Sequence, residues 1–494
     1  MGNMEMKNWL DQRAYLTPER TALIFEKKKW SYQDLQRAAE RMAQKLLKLG
    51  VHRGQHVGFL MDNHPETVIL IHAFHSLQVV AVPLNKRLSA SELDYQLEDA
   101  EVSWLIVDEV HHDKAQELRF NQIVTMVEIE ATDEVDEDLE DTIRLDDLHS
   151  IIFTSGTTGH PKGVMLTYGN HWWSATGSAL NLGIRDDDCW LCTVPLFHVS
   201  GLSIVMRSVI YGIPMVLHRT FDPVMFNESI QNDGVTVASV VSVMLSKVLD
   251  SVNFMTYPSQ FRCMLLGGGP APLPLLKRCE ANAIPVFQTY GLSESASQIV
   301  TLAPEDSFRK LGSAGKPLFP AQVKVVPSAD DERGSEGEIF VKGPNVTQGY
   351  YKKPAINTEK IQDGWLATGD VGYLDDEGFL YVLDRRKDMF VSGGENVYPA
   401  EIEACLHGHG AVSEVGVIGI DDSVWGKVPA AFVVLAEGAE VSGEVLIDYC
   451  KDNLAGYKVP KVVRYIKQLP RNASNKILRR DLYSLLREGD EYED

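Results

Sequence analysis

Apolar positions in the first 150 residues follow two alternating rhythms. After Ser31-Tyr32-Gln33-Asp34, residues Leu35, Ala38, Ala39, Met42, Leu46 and Leu49 recur at helical spacing, and Gly50 closes the run. Ser31 and Asp34 stand at capping-box spacing, which predicts the helix start. Val57-Gly58-Phe59-Leu60-Met61 is short and continuously apolar, as a buried strand is. Pro65 opens another helix, and Val79-Val80-Ala81-Val82 is another strand. This strand–helix alternation predicts an α/β fold with a mostly parallel sheet. Residues 128–147 interrupt it with a dense run of acidic side chains, read as a solvated loop. Ile151-Ile152-Phe153 then resumes as a strand.

Further on, Met264-Leu265-Leu266 and Ile284-Pro285-Val286-Phe287-Gln288 read as strands. Asp375-Asp376-Glu377-Gly378 is a turn between Val371-Gly372-Tyr373-Leu374 and Phe379-Leu380-Tyr381-Val382-Leu383, hence a hairpin. A short charged stretch, Asp384-Arg385-Arg386-Lys387-Asp388, follows, and the pattern restarts as compact α+β. The expected organisation is a large N-terminal domain of βα-type sheets over residues 1–386 and a small α+β domain over residues 387–494.

Bulk properties narrow the function classes. A chain of 494 residues exceeds what one core supports, so two or more domains are expected. The formal net charge of −22 argues against a nucleic-acid partner, which calls for a basic face, but leaves nucleotide binding open. The most apolar long stretch, Val68 to Val82, is broken by His72, His75, Ser76 and Gln78, so no membrane span is expected. The N-terminus shows no signal-peptide core, and a cytoplasmic location is the expectation. Six cysteines form no disulfide framework. Cys189 and Cys192 lie on an apparent strand, where residues three apart face opposite sides, so they read as packing groups and not as zinc ligands.

Candidate chemistry begins at Thr154-Ser155-Gly156-Thr157-Thr158-Gly159-His160-Pro161-Lys162-Gly163. Glycines let backbone N–H groups approach an anion, hydroxyls add donors, and Lys162 adds a compact positive charge. Pro161 before the lysine and Gly163 after it exclude the Walker-type P-loop. Taken alone the stretch is also compatible with a surface turn. Tyr290-Gly291-Leu292-Ser293-Glu294 follows a strand: Tyr290 suits a base, Ser293 a phosphate, and Glu294 a Mg²⁺ ion. Gly267-Gly268-Gly269 follows another strand and permits close approach of a flat ligand. Asp370 accepts hydrogen bonds only, which suits ribose hydroxyls, with Arg385 nearby in sequence. Lys476 ends the polar run Leu469-Pro470-Arg471-Asn472-Ala473-Ser474-Asn475.

These motifs, together with Gly393-Gly394-Glu395-Asn396-Val397-Tyr398-Pro399, stand in the order and spacing of one family. Over essentially its whole length the chain resembles the adenylate-forming, or acyl-CoA synthetase, superfamily. The resemblance implies that fold, with a mobile C-terminal domain carrying the catalytic Lys476. It implies ATP, Mg²⁺ and CoA as cofactor and co-substrates and a small carboxylic acid as substrate. The acid attacks the α-phosphate of ATP to give an acyl-adenylate, and CoA then displaces AMP. Nucleotide contacts carry over to Thr154, Ser155, Gly156, Thr157, Thr158, Gly159, Lys162, Gly268, Gly269, Tyr290, Gly291, Ser293, Asp370 and Arg385. The metal falls to Glu294 and Thr158, and the hinge to Lys387. Two positions depart from the common pattern: Ser293 stands for Thr and Asn475 for Gly. Both are compatible with activity, the first because it keeps the hydroxyl, the second because Asn tolerates left-handed backbone.

His198, in Pro195-Leu196-Phe197-His198-Val199-Ser200-Gly201, stands where amino-acid-activating relatives carry Asp, which argues against an amino acid substrate. His198, Thr289 and Ser297 are candidate substrate contacts, and His198 joins Lys162 and Lys476 on the catalytic list. The strings Gly267–Leu276, Ser297–Leu302, Leu311–Phe319 and Asn472–Lys476 resemble the branch of the family that ligates 2-succinylbenzoate, an aromatic keto-diacid of menaquinone biosynthesis. A general aryl- or fatty-acyl-CoA ligase, a luciferase-like oxidase and a non-catalytic nucleotide-binding relative are the rival readings. A homo-oligomer is compatible with the sequence.

Overall fold

The computed structural model describes residues 4–154, 161–251, 256–268, 273–306, 309–310, 312–327, 336–384, 389–470, 477 and 479–487. The chain divides into two compact units, one of Met1–Lys86, Leu97–Ile152 and Gly163–Asp384, the other of Arg87–Gln96, Phe153–Lys162 and Arg385–Asp494.

The first helix read from the sequence spans Tyr32–Leu49. Ser31 and Asp34 form its capping box, and Gly50 ends it in left-handed backbone at φ 96°. Its buried face is Leu35, Ala39, Met42, Ala43 and Leu46, the period that predicted it. The strand His56–Leu60 and the helix Pro65–Leu77 follow as expected. The sheet around them has six strands among the described residues. Their order is Lys162–Thr167, Leu148–Thr154, Val80–Pro83, His56–Leu60, Val102–Val107, Ile123–Thr125. His56–Leu60 pairs in parallel with both of its neighbours.

A second, larger sheet carries the site. Its strands Trp190–Cys192, Val237–Val241, Cys263–Gly267 and Val286–Leu292 run in parallel. Beyond them Ser297–Leu302 and Ser313–Pro317 continue antiparallel, towards the expected hairpin of Trp365–Leu374 and Leu380–Asp384. The second unit holds its own sheet of Phe390–Ser392, Glu395–Val397, Val412–Asp422, Gly426–Leu435 and Val462–Tyr465. That sheet is covered by the helices Pro399–His407 and Gly443–Asn453 around a core that includes Val417, Val433, Leu446 and Cys450.

The acidic stretch 128–147 is not simply a loop. Thr125 and Glu128 build a second capping box, and Met126–Ala131 is a helix that buries Met126 and Ile129. Thr142–Arg144 is a strand paired with Glu5–Lys7, and Ile143 is buried. Charge density concealed apolar residues at helical and strand spacing. Cys189 and Cys192 are both buried, and they belong to two different hydrophobic clusters, as opposite faces of a strand require. Burial pushes both thiols up to about 12, so neither is a thiolate near neutral pH.

One polar feature had no precursor in the motifs. His72, His75, His149 and His171 gather in the interior, with His75 Nε2 3.0 Å from His149 Nε2 and the His149 and His171 rings 4.4 Å apart. The same His72 and His75 had merely broken the apolar run Val68 to Val82. No described helix is long and apolar enough to cross a membrane.

Candidate active site

The strand Val286–Leu292 is longer than the sequence suggested. It passes through Tyr290 and Gly291 instead of ending before them, because Ser297–Leu302 pairs with it antiparallel past the end of its parallel neighbour. A bulge at Tyr290/Gly291 shifts the register there. Gly291 is required by a close approach: a Cβ would lie 1.9 Å from the Ser297 carbonyl oxygen. Ser293–Ser295 then forms a single 3₁₀ turn, and Ala296 and Ser297 follow in left-handed backbone at φ 52° and 103°. Such conformations in non-glycine residues cost energy and persist only where the surroundings hold them. Here the Ser174 hydroxyl donates to the Ala296 carbonyl at 2.6 Å, and the Ser295 hydroxyl donates to the Ser297 carbonyl at 2.8 Å.

Two carboxylates are buried at this turn and its neighbour. Asp370, 2% exposed within Trp365–Leu374, accepts from the Tyr290 hydroxyl at 2.6 Å. Glu294, 8% exposed, accepts at Oε1 from the Tyr350 hydroxyl at 2.8 Å. Each buried carboxylate therefore has a tyrosine hydroxyl donor aimed at one of its oxygens. The structure thus brings Asp370 to Tyr290, and Gly291, Ser293 and Glu294 follow Tyr290 along the same strand and turn.

The other candidates divide. Gly268 lies immediately after Cys263–Gly267, the strand next to Val286–Leu292. The Thr289 hydroxyl donates to the Val300 carbonyl at 2.9 Å and lies 3.0 Å from the Thr301 hydroxyl, so substrate would compete with the sheet for it. His198 caps the helix Val199–Tyr211, with its ring 4.6 Å from that of Phe197. Thr154 ends the strand Leu148–Thr154, and Lys162, 7% exposed, begins Lys162–Thr167. Ser155, Gly156, Thr157, Thr158, Gly159, Gly269, Arg385, Lys387 and Lys476 lie outside the described residues.

Sequence reasoning missed the stretch at residues 345–351, between the strand Gly337–Lys342 and the helix Pro354–Lys360. Its signal was Gly343-Pro344-Asn345 leading into it and Gly349-Tyr350-Tyr351 at its end. Gly349 has φ 145°, and a Cβ there would lie 2.7 Å from the Asn357 side chain.

The chain belongs to the AMP-binding enzyme family. That family's pattern covers residues 10–351, and the AMP-binding enzyme C-terminal domain covers residues 401–476. Among its relatives are proteins named 2-succinylbenzoate–CoA ligase. The one from a Geobacillus species is 50% identical over 97% of this chain and 97% of its own length. That of Geobacillus kaustophilus is 51% identical over 97% and 98%. Among solved structures, a double mutant of o-succinylbenzoate CoA synthetase from Bacillus subtilis, bound with its product analogue, matches with a TM-score of 0.93. It is 48% identical, over 97% of this chain and 98% of that one. The same enzyme in complex with ATP and a magnesium ion matches at 0.76, also 48% identical, over 97% and 100%. The resemblance read from the motifs is borne out, and so is the adenylate-forming fold.

Proposed function

We propose that the chain ligates 2-succinylbenzoate to CoA, using ATP and forming 2-succinylbenzoyl-CoA, AMP and pyrophosphate through an acyl-adenylate. One observation carries the choice of acid: half-identity over 97% of the chain to ligases of that name. The site supports the class of reaction. In the first half-reaction a substrate carboxylate oxygen bonds to the α-phosphorus, and the bond to the pyrophosphate leaving group breaks. Two anions must meet, so the protein positions them and screens charge, with no covalent enzyme intermediate.

Asp370, held by Tyr290, accepts from the ribose hydroxyls, and Tyr290 and Gly268 flank the base. Lys162, with Thr154 and the residues up to Gly159, clamps the phosphates. Lys476 bridges substrate carboxylate and phosphate oxygens. Glu294 fits a magnesium ion: it is a buried carboxylate with one oxygen held by a hydroxyl, and Mg²⁺ takes one or two carboxylates plus substrate phosphates. Glu294 and Thr158 would hold the ion, which when bound neutralises phosphate charge. In the second half-reaction the CoA sulfur attacks the acyl carbonyl and AMP leaves. Domain rotation about Lys387, with the boundary between residues 386 and 387, withdraws Lys476 for this step. His198 and Ser297 face the acid, and the chain works in the cytoplasm without a nucleic-acid partner.

Thioester formation from 2-succinylbenzoate, benzoate and decanoate tests the reading. Turnover of the first alone is expected, and equal turnover of decanoate would overturn the choice of acid. Lys476→Ala should impair adenylation far more than thioester formation from supplied acyl-adenylate. Equal loss in both would remove the lysine from that role.

A further inference from the structure

Several polar atoms of residues 345–351 converge on one task. Thr347 N donates to the Glu294 carbonyl at 2.7 Å, and Asn345 Nδ2 donates to the Ser295 carbonyl at 3.0 Å, so the segment grips the turn that carries Glu294. Its other edge lies on the strand after the phosphate loop. Tyr351 N donates to the Gly163 carbonyl at 2.8 Å, Met165 N donates to the Gly349 carbonyl at 3.0 Å, and Tyr350 bridges Val164. Asn357 clamps the Tyr350 backbone from the helix side. Its Oδ1 accepts from Tyr350 N at 2.7 Å, and its Nδ2 donates to the Tyr350 carbonyl at 2.9 Å.

From this we infer that Tyr350 is a positioning residue for the metal-binding carboxylate: its hydroxyl fixes the orientation of Glu294, and residues 345–351 are the strap that holds both. The inference rests on the reading that Glu294 holds the magnesium ion. Tyr350 is 3% exposed and belongs to the main core cluster. Its ring alone would satisfy packing, as a Phe would. The hydroxyl has a further consequence. The terminal torsion of a glutamate is broad, so an unbonded carboxylate samples many orientations. A donor on Oε1 selects one of them. Hydrogen bonds behind a metal-ligating carboxylate commonly account for 10–100-fold in metal affinity.

Tyr350→Phe removes only the hydroxyl. The Mg²⁺ concentration giving half-maximal adenylation should rise on the order of tenfold or more. The KM for the acid should stay unchanged, and excess Mg²⁺ should restore kcat. Binding of Mn²⁺ in the presence of ATP without acid, followed by electron paramagnetic resonance, should weaken by a similar factor. Asn357→Ala, which loosens the clamp but keeps the hydroxyl, should shift both constants in the same direction by less. In a Glu294→Gln background, Tyr350→Phe should weaken Mn²⁺ binding no further. Unchanged Mg²⁺ and Mn²⁺ constants in Tyr350→Phe, beside a Glu294→Gln variant that binds Mn²⁺ poorly, overturn the inference alone. A Glu294→Gln variant that binds Mn²⁺ normally overturns the metal role on which it rests.

Discussion

The molecule buries two polar groups of side chains on opposite terms. Around the proposed nucleotide site two carboxylates are buried, and each has a tyrosine hydroxyl donating to it: Tyr290 to Asp370, Tyr350 to Glu294. In the interior between the helices Pro65–Leu77 and Tyr168–Leu182 the buried residues are imidazoles. They lean on one another and on the Tyr168 ring, and both nitrogens of His72 lack a partner among the described residues. Burying a charge is expensive unless it is paired, whereas a histidine can shed its charge and be buried neutral. The first group is held by hydroxyl donors at the site proposed for the nucleotide and the metal. The second has given its charge up, and its contribution is packing.

Removing charge should therefore injure the first group most. Glu294→Gln is expected to lower the adenylation rate by about 10²–10³, the scale typical of deleting one preorganised electrostatic group, with little change in melting temperature. A loss of stability that matched the loss of rate would erase the distinction between the two groups. Next in size is Tyr290→Phe. Removing a donor to a buried charged acceptor is worth about 1.5–3 kcal/mol, so the KM for ATP should rise by about 10–100-fold while the KM for the acid holds. Equal shifts in both constants would mean that Tyr290 serves the sheet and not the nucleotide.

The smallest effects on activity belong to the histidines, whose titration acts on stability instead. Burial lowers their pKa values, to about 4 for His72 and to about 3 for His171, the latter helped by the Arg207 charge. Below about pH 6.5 the unfolded chain takes up protons that the folded one refuses. Stability should therefore be complete above pH 6.5 and fall as pH drops towards 4, beginning before carboxylates titrate. Urea midpoints measured between pH 7 and 5 check this, and a flat profile would contradict it. His72→Leu should flatten that slope without lowering the midpoint at pH 7, since it removes two buried nitrogens without partners.

The two groups also differ in how far sequence announced them. Tyr290, Glu294 and Asp370 stand in short motifs whose residue types suit the nucleotide and metal proposed for them. His72, His75, His149 and His171 come from three elements and carry no local signature, because their association depends on which faces meet in the core. Tyr350 was missed altogether, because nothing local marks it as the partner of Glu294, 56 residues away in the chain.

Local periodicity determined the helix Tyr32–Leu49 with both caps, the early βα alternation and the hairpin around residues 375–378, since each depends on interactions within a few residues. The motifs, through the family resemblance they carry, likewise determined the class of reaction. Tertiary structure alone decided that Val286–Leu292 runs on through Tyr290, that Met126–Ala131 is a helix inside an acidic stretch, and that Tyr350 reaches Glu294. Those outcomes depend on an antiparallel neighbour, on apolar burial and on a hydrogen bond across the fold. Such contacts exist only once distant segments have come together.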